Sequence, residues 1–254
     1  MKKWPSIAKA GGSLLLFLLL WEGSVQMFRI EKWILPAPSD VLAALIQYFP
    51  LIMMHSGQTV IETLIGLSVA TLLGIGLATL MDRFLLLRDA VYPLLVITQT
   101  IPTVALAPLF MVWFGFGMLP KILVVVIATF FPIVVSLFEG YRQVDEEKVR
   151  LLASMGANRG QIFRYLKIPA SLPSFFAGLR IAGTYGVMAA VVGEWLGANR
   201  GLGILLIRSS KSFLTDQLFA TILVIILLSL FLYWIIEWLA ALIMPWRRFS
   251  EERH

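Results

Sequence analysis

Residues 145–173, DEEKVRLLASMGANRGQIFRYLKIPASLP, decide how this chain is read. Long apolar segments flank the stretch on both sides, so it is a loop held at a membrane surface and not part of a span. Lys148, Arg150, Arg159, Arg164 and Lys167 lie within it, and Arg142 stands just before it. An excess of Lys and Arg in a loop of this length marks the cytoplasmic side. Asp145 is placed to cap a helix on which Val149, Leu152, Ala153 and Gly156 recur at i, i+3, i+4 and i+7. Gly156 suits a left-handed stop. Asn158 and Gln161 have the spacing of a capping box for a second short helix carrying Ile162, Phe163 and Leu166. Pro169 and Pro173 are expected to end that helix. The pair exposes apolar side chains, which leaves two readings: an amphipathic hairpin lying on the bilayer or on its own domain, or a docking element for a soluble partner.

Composition agrees with a membrane setting. The 254 residues are 59% hydrophobic and 14% charged, where soluble domains carry about 25% charged residues. The length suits one domain, residues 1–254. The net charge of +6 does not call for nucleic acid, because most Lys and Arg fall in loops that share one side. Cys is absent, which excludes a disulfide framework, a thiolate metal site and a Cys nucleophile. His55 and His254 are the only imidazoles, which argues against histidine-based catalysis.

The hydropathy pattern predicts six spans, at about residues 10–28, 57–80, 90–113, 122–141, 174–196 and 217–244. Pro36 and Pro38 precede a short amphipathic helix, 41–48, capped by Ser39 or Asp40 and expected along the interface. The second span is rich in small residues, among them Gly66, Ala70, Gly74 and Ala78, which allow close helix approach. The third carries Thr98, Gln99 and Thr100, then Pro102 and Pro108. It reads either as a lining of a pathway or as a kinked helix packed on its neighbours. Residues 115–121 form an outer turn, and Pro132 breaks the fourth span. Arg180 is placed to snorkel from the fifth span to the inner headgroups. Gly178, Ala182, Gly183, Gly186, Ala189, Ala190 and Gly193 make the closest helix contact of the protein, a face expected at a dimer axis. The loop 194–203 follows, in which Glu194 faces a substrate or binding protein, or pairs with Arg200. Glu22, Glu62, Glu194 and Glu237 all fall near span ends. Fourteen Lys and Arg fall on the inner side of this layout and six on the outer. That excess predicts an all-α polytopic protein with both termini cytoplasmic and the 145–173 loop between the fourth and fifth spans.

The run LLASMGANRGQIFRYLKIPASLP resembles the cytoplasmic coupling loop of binding-protein-dependent ABC importer permeases, matching at Gly156, Ala157, Phe163, Pro169 and Pro173. The Glu-Ala-Ala that opens the family's loop falls on Arg150, Leu151 and Leu152, a departure. LPAPSDV at 35–41, PTVALAPLF at 102–110, WFGFG at 113–117 and EWLGANRGLG at 194–203 resemble the nitrate/sulfonate/taurine group, whose members include permeases for pyrimidine precursors of thiamine. The resemblance implies a multi-pass protein of the bacterial inner membrane, surrounded by lipid. It also implies a pair of such subunits, here a homodimer, enclosing a path for a small organic solute. Each subunit docks an ABC ATPase, through Leu152, Met155, Gly156, Ala157, Phe163 and Pro169 here. An extracellular or periplasmic binding protein delivers the solute, and Thr98, Gln99, Thr100 and Glu194 are the candidate path residues.

No G-x-x-x-x-G-K-[S/T] occurs, so the chain holds no P-loop of its own. The ATP would be used by the partner, and this subunit, not an enzyme, needs no cofactor or metal. The rival reading is a self-sufficient carrier or channel driven by ion gradients. Such carriers place ionisable groups in mid-membrane, and the positions of the four glutamates above count against it.

Overall fold

Every regular element among the described residues is a helix. The computed structural model describes residues 4–246 apart from Leu196 and Ala198. Lys2, Lys3, Arg247, Arg248 and Arg253, all counted above on the inner side, lie outside the described residues. In chain order the helices are α1 (Trp4–Met27), α2 (Pro38–Gln47), α3 (Phe49–Arg83), α4 (Leu85–Thr98), α5 (Thr103–Phe114) and α6 (Met118–Arg142). After these come α7 (Glu146–Ser154), α8 (Arg159–Ile162), a π-helical turn (Phe163–Lys167), α9 (Ile168–Glu194), α10 (Leu202–Lys211) and α11 (Thr215–Ile243).

Four stretches are long and apolar enough to cross a membrane: α3, α6, Arg159–Glu194 and α11. The third expected span is the pair α4 and α5, bent by 99° across residues 99–102. Pro102 has no N–H to continue α4 and instead stands at the cap of α5. The first expected span corresponds to the shorter apolar helix Gly11–Met27.

The centre of the bundle is α6 held between α3 and α9. Glycines set the distances. A Cβ on Gly178 would stand 2.6 Å from the Pro132 carbonyl oxygen, and one on Gly74 would stand 2.9 Å from Ile133. Gly186 likewise faces Thr129, Gly193 faces Lys121, and Gly183 faces Ile236 of α11. This corrects the dimer-axis expectation. The small-residue face of α9 is buried inside the chain, because the short side chains are what let α6 and α11 approach. The opposite face of α9, with Ile181, Tyr185 and Met188, is exposed.

Two proline expectations are also corrected. α6 runs unbroken through Pro132. Pro169 and Pro173 do not end the second loop helix: α8 passes through the π-helical turn directly into α9. Pro169 falls in the first turn of α9, directly after the π-helical turn, and Pro173 is held inside that helix.

The amphipathic helix α2 turns Val41 and Ala44 inward, onto Ala220 and Val224 of α11, so it is docked on the bundle. Its cap is Ala37, whose N–H is accepted by Asp40 at 3.3 Å. Ser39 gives its N–H and hydroxyl to Glu22 at 3.0 and 2.8 Å, which fastens α1 to α2. Lys32 sits 2.6 Å from Asp40, whose hydrogen bond and charge raise the Lys32 ammonium above its ordinary range. Arg180 does not reach for headgroups; its guanidinium pairs with Glu237 of α11.

Candidate functional sites at the two ends of the bundle

The loop between α6 and α9 is built by local signals. Asp145 accepts the Glu147 N–H at 2.9 Å and starts α7. Gly156 closes it with φ +87°, a conformation that side chains other than glycine rarely take. Asn158 accepts the Gln161 N–H at 2.9 Å while the Gln161 side chain accepts the Asn158 N–H at 2.8 Å, a complete capping box. None of α7 is buried. Met155 is 75% exposed and Gly156 is exposed beside it, while Leu152, Ala157, Phe163 and Pro169 are half-buried beneath them. Phe163 lies 5.4 Å, ring to ring, from Tyr141 of α6, so it seats the loop on the bundle. Leu151 and Tyr165, which the sequence reading missed, are 60% and 70% exposed. Leu151 could have been found one helical turn before Met155, on the same face.

Lys167 and Asp82 also hold the loop in place. The Lys167 ammonium lies 2.6 and 2.8 Å from the two Asp82 carboxylate oxygens at the end of α3. Charge-assisted hydrogen bonds of this kind are shorter and roughly twice as strong as neutral ones.

The opposite end of the bundle carries a buried polar cluster. Lys121 is not in the outer turn; it lies in the first turn of α6, buried, with its ammonium 3.1 Å from Glu62 of α3. Gln58 donates to the same Glu62 oxygen at 2.7 Å. The other oxygen, Oε2, is buried with no hydrogen-bond partner among the described residues. Glu194, at the end of α9, is fully buried. Its partners are the Thr59 hydroxyl at 2.7 Å and the Gly203 N–H at 2.6 Å, and not Arg200. Both Glu62 and Glu194 are thus buried, and their polar partners make the burial tolerable.

The backbone at the start of α10 is taken up by this cluster. Gly201 meets His55 Nδ1, which lies 3.0 Å from its nitrogen and 2.9 Å from its carbonyl oxygen, Leu202 donates its N–H to Thr59 Oγ1 at 2.9 Å, and Gly203 donates its N–H to Glu194. These N–H groups are the orphan donors of a helix N-terminus, capped by side chains from α3 and α9 instead of by a local residue. Gly201 has φ +130°, and a Cβ there would overlap the Glu194 carboxylate. A Cβ on Gly203 would overlap the Val191 carbonyl. Residues 201–203 are therefore a latch that fixes α10 to α3 and α9.

Thr98, Gln99 and Thr100 sit exposed at the break between α4 and α5. The two threonine hydroxyls bond back to the Leu95 and Ile97 carbonyls at 2.7 and 2.8 Å. Glu194 does not join them, since its oxygens are engaged in the latch.

The family described as the binding-protein-dependent transport system inner membrane component matches residues 70–248. The formylaminopyrimidine transport permease protein ThiX of Halalkalibacterium halodurans is 39% identical over 92% of this chain and 94% of its own length. The riboflavin transport system permease protein RibX of Chloroflexus aurantiacus is 34% identical over 96% of this chain and 91% of its own. The taurine transport system permease protein TauC of Escherichia coli is 28% identical over 96% and 92%. Among solved structures, an inward-facing MetNI methionine ABC transporter superposes with a TM-score of 0.64 at 19% identity, over 78% of this chain and 97% of that one, which is a likeness of fold.

Proposed function

The chain belongs to the inner membrane components of binding-protein-dependent transport systems, and from that membership we propose how it works. It is a multi-pass permease subunit of an ABC importer. In our reading all 254 residues form one transmembrane domain with six spans and both termini cytoplasmic. The 145–173 loop faces the cytoplasm and docks a separate ABC ATPase. The observation that carries this is the exposed apolar set Leu151, Met155 and Tyr165 on a helix pair anchored by Lys167 and Asp82. Contiguous exposed apolar groups rimmed by polar residues mark protein–protein or membrane interaction sites, and we assign this one to the ATPase.

Leu152, Ala157, Phe163 and Pro169 shape that surface from beneath, and Gly156 sets its turn. The partner uses the ATP, and this chain binds no cofactor or metal. A binding protein outside the cell delivers the solute to a pair of these subunits, most simply a homodimer. Thr98, Gln99 and Thr100 border the path at the broken helix, and Glu194 holds the latch at its outer end. The cargo is a small organic solute of the kind its relatives carry, a formylaminopyrimidine first and a taurine-type sulfonate second.

Co-purification with the ATPase tests the docking claim. The unaltered chain should retain the ATPase, and Gly156→Arg should shed it and stop ATP-dependent uptake. An ATPase that stays bound to Gly156→Arg, with uptake intact, would refute the docking surface. Uptake of labelled formylaminopyrimidine set against taurine decides between the two cargoes.

A further inference from the structure

The latch buries more acid than base. Glu62 on α3 and Glu194 on α9 are both 0% exposed, and Lys121 on α6 is the one buried cation beside them among the described residues. The other titratable or charged groups near them do not balance the sum. His55 on α3 is buried and turned to the Gly201 backbone, while Arg200 and Arg208, before and within α10, are exposed. Two carboxylates and one ammonium would leave a net negative charge out of reach of water. A buried group in that position takes up a proton instead.

The hydrogen bonds make the same demand. Glu62 Oε1 accepts from the Lys121 ammonium at 3.1 Å and from Gln58 at 2.7 Å. Glu62 Oε2 is buried, and no donor among the described residues reaches it. The group that stands next to Glu62 is the Glu194 carboxyl. Two ionised carboxylates offer each other only acceptors, whereas a protonated carboxyl has one O–H to give. Lys121 pairs with Glu62, so the negative charge belongs on Glu62 and the proton on Glu194. A neutral Glu194 still accepts the Thr59 hydroxyl at 2.7 Å and the Gly203 N–H at 2.6 Å.

We propose that Glu194 binds a proton, taken from water, and donates it as a hydrogen bond to Glu62 Oε2. The latch is thus a proton site, and the carboxyl–carboxylate bond joins α9 to α3 directly under residues 201–203. Through it the Gly203 contact of α10 is tied to the Lys121–Glu62 pair on α6 and α3. Removing the proton would set two like charges against each other at the point where α10 is fastened. The site stands on these buried groups and does not depend on the permease reading.

Infrared spectroscopy detects the proton directly. The purified full-length chain, in detergent at neutral pH and isotope-labelled at its glutamate carboxyl carbons, should show the C=O band of a protonated glutamic acid, identified by its shift on labelling. Glu194→Gln should abolish that band. It should also keep the folding equilibrium within about tenfold of the unaltered chain, because its neutral amide can donate to Glu62 Oε2. Thr59 can then turn its hydroxyl to the His55 carbonyl, 3.4 Å away. Glu62→Gln should abolish the band as well, although residue 194 is untouched, because Glu194 then ionises to balance Lys121.

An unaltered chain without the band overturns the proposal, since both carboxylates are then ionised. A band that survives Glu194→Gln places the proton elsewhere and overturns it too. So does a band that survives Glu62→Gln, because Glu194 would then be neutral without regard to its neighbour. A Glu194→Gln chain that does not fold overturns it as well, since a neutral acid tolerates its neutral isostere.

Discussion

Lys121→Met is the most demanding substitution for the buried cluster. Among the described residues Lys121 supplies the one cation within hydrogen-bonding distance of Glu62, and both side chains are almost completely buried, 6% and 0% exposed. Gln58 and the neighbouring Glu194 carboxyl can satisfy only part of what remains. Removing one member of a buried pair leaves an uncompensated charge, which costs about 3–5 kcal/mol. That is a loss of about 100- to 5,000-fold in the folding equilibrium, at ~1.4 kcal/mol per decade. Replacing both partners by apolar residues removes the stranded charge, so Glu62→Leu combined with Lys121→Met should recover most of the loss. The assay is equilibrium unfolding of the purified chain in mixed micelles with rising SDS, followed by tryptophan fluorescence and circular dichroism. A Lys121→Met protein within about 1 kcal/mol of the unaltered chain would refute the reasoning, since typical single substitutions cost that much. A double variant no more stable than the single would refute it as well.

Gly178→Val should destabilise the chain by about 1–3 kcal/mol or more in the same unfolding assay, because its Cβ meets the Pro132 carbonyl and Ser136 with no room to yield. Gly201→Ala forces a side chain into a left-handed backbone against Glu194, and should lower stability by about 1–3 kcal/mol while ATP-dependent uptake falls in proteoliposomes. Leu151→Asp with Met155→Asp should abolish ATPase retention on an affinity column, yet shift unfolding by no more than about 0.5 kcal/mol, because both side chains are exposed.

The parts of the molecule legible in its sequence are those decided by near neighbours. The Asp145 cap, the Asn158–Gln161 box and the left-handed Gly156 each involve residues within a few positions of one another, and each forms as spacing predicts. The run Thr98–Pro102 signals a break through polarity and a missing N–H, and the chain bends there by 99°. Lys121 reads as a loop charge because its partner, Glu62, is 59 positions away. His55 and Glu194 reveal their roles only once 146 and 9 positions of chain bring Gly201 and Gly203 to them. The glycines and alanines of α9 announce a close contact without saying with what; α6 and α11 take the place that a second subunit was expected to fill. The helix α10 escapes notice because its N-terminus is capped by distant residues where a local signal would otherwise stand.

Transport by the purified chain, reconstituted in liposomes with labelled formylaminopyrimidine or taurine, tests most directly whether this subunit depends on a separate engine. With ATPase, binding protein and ATP present, solute should accumulate against its gradient, and accumulation should survive collapse of ion gradients. With the chain alone, no uphill movement should occur. Uphill accumulation by the chain alone, abolished when ion gradients are collapsed, would contradict the account.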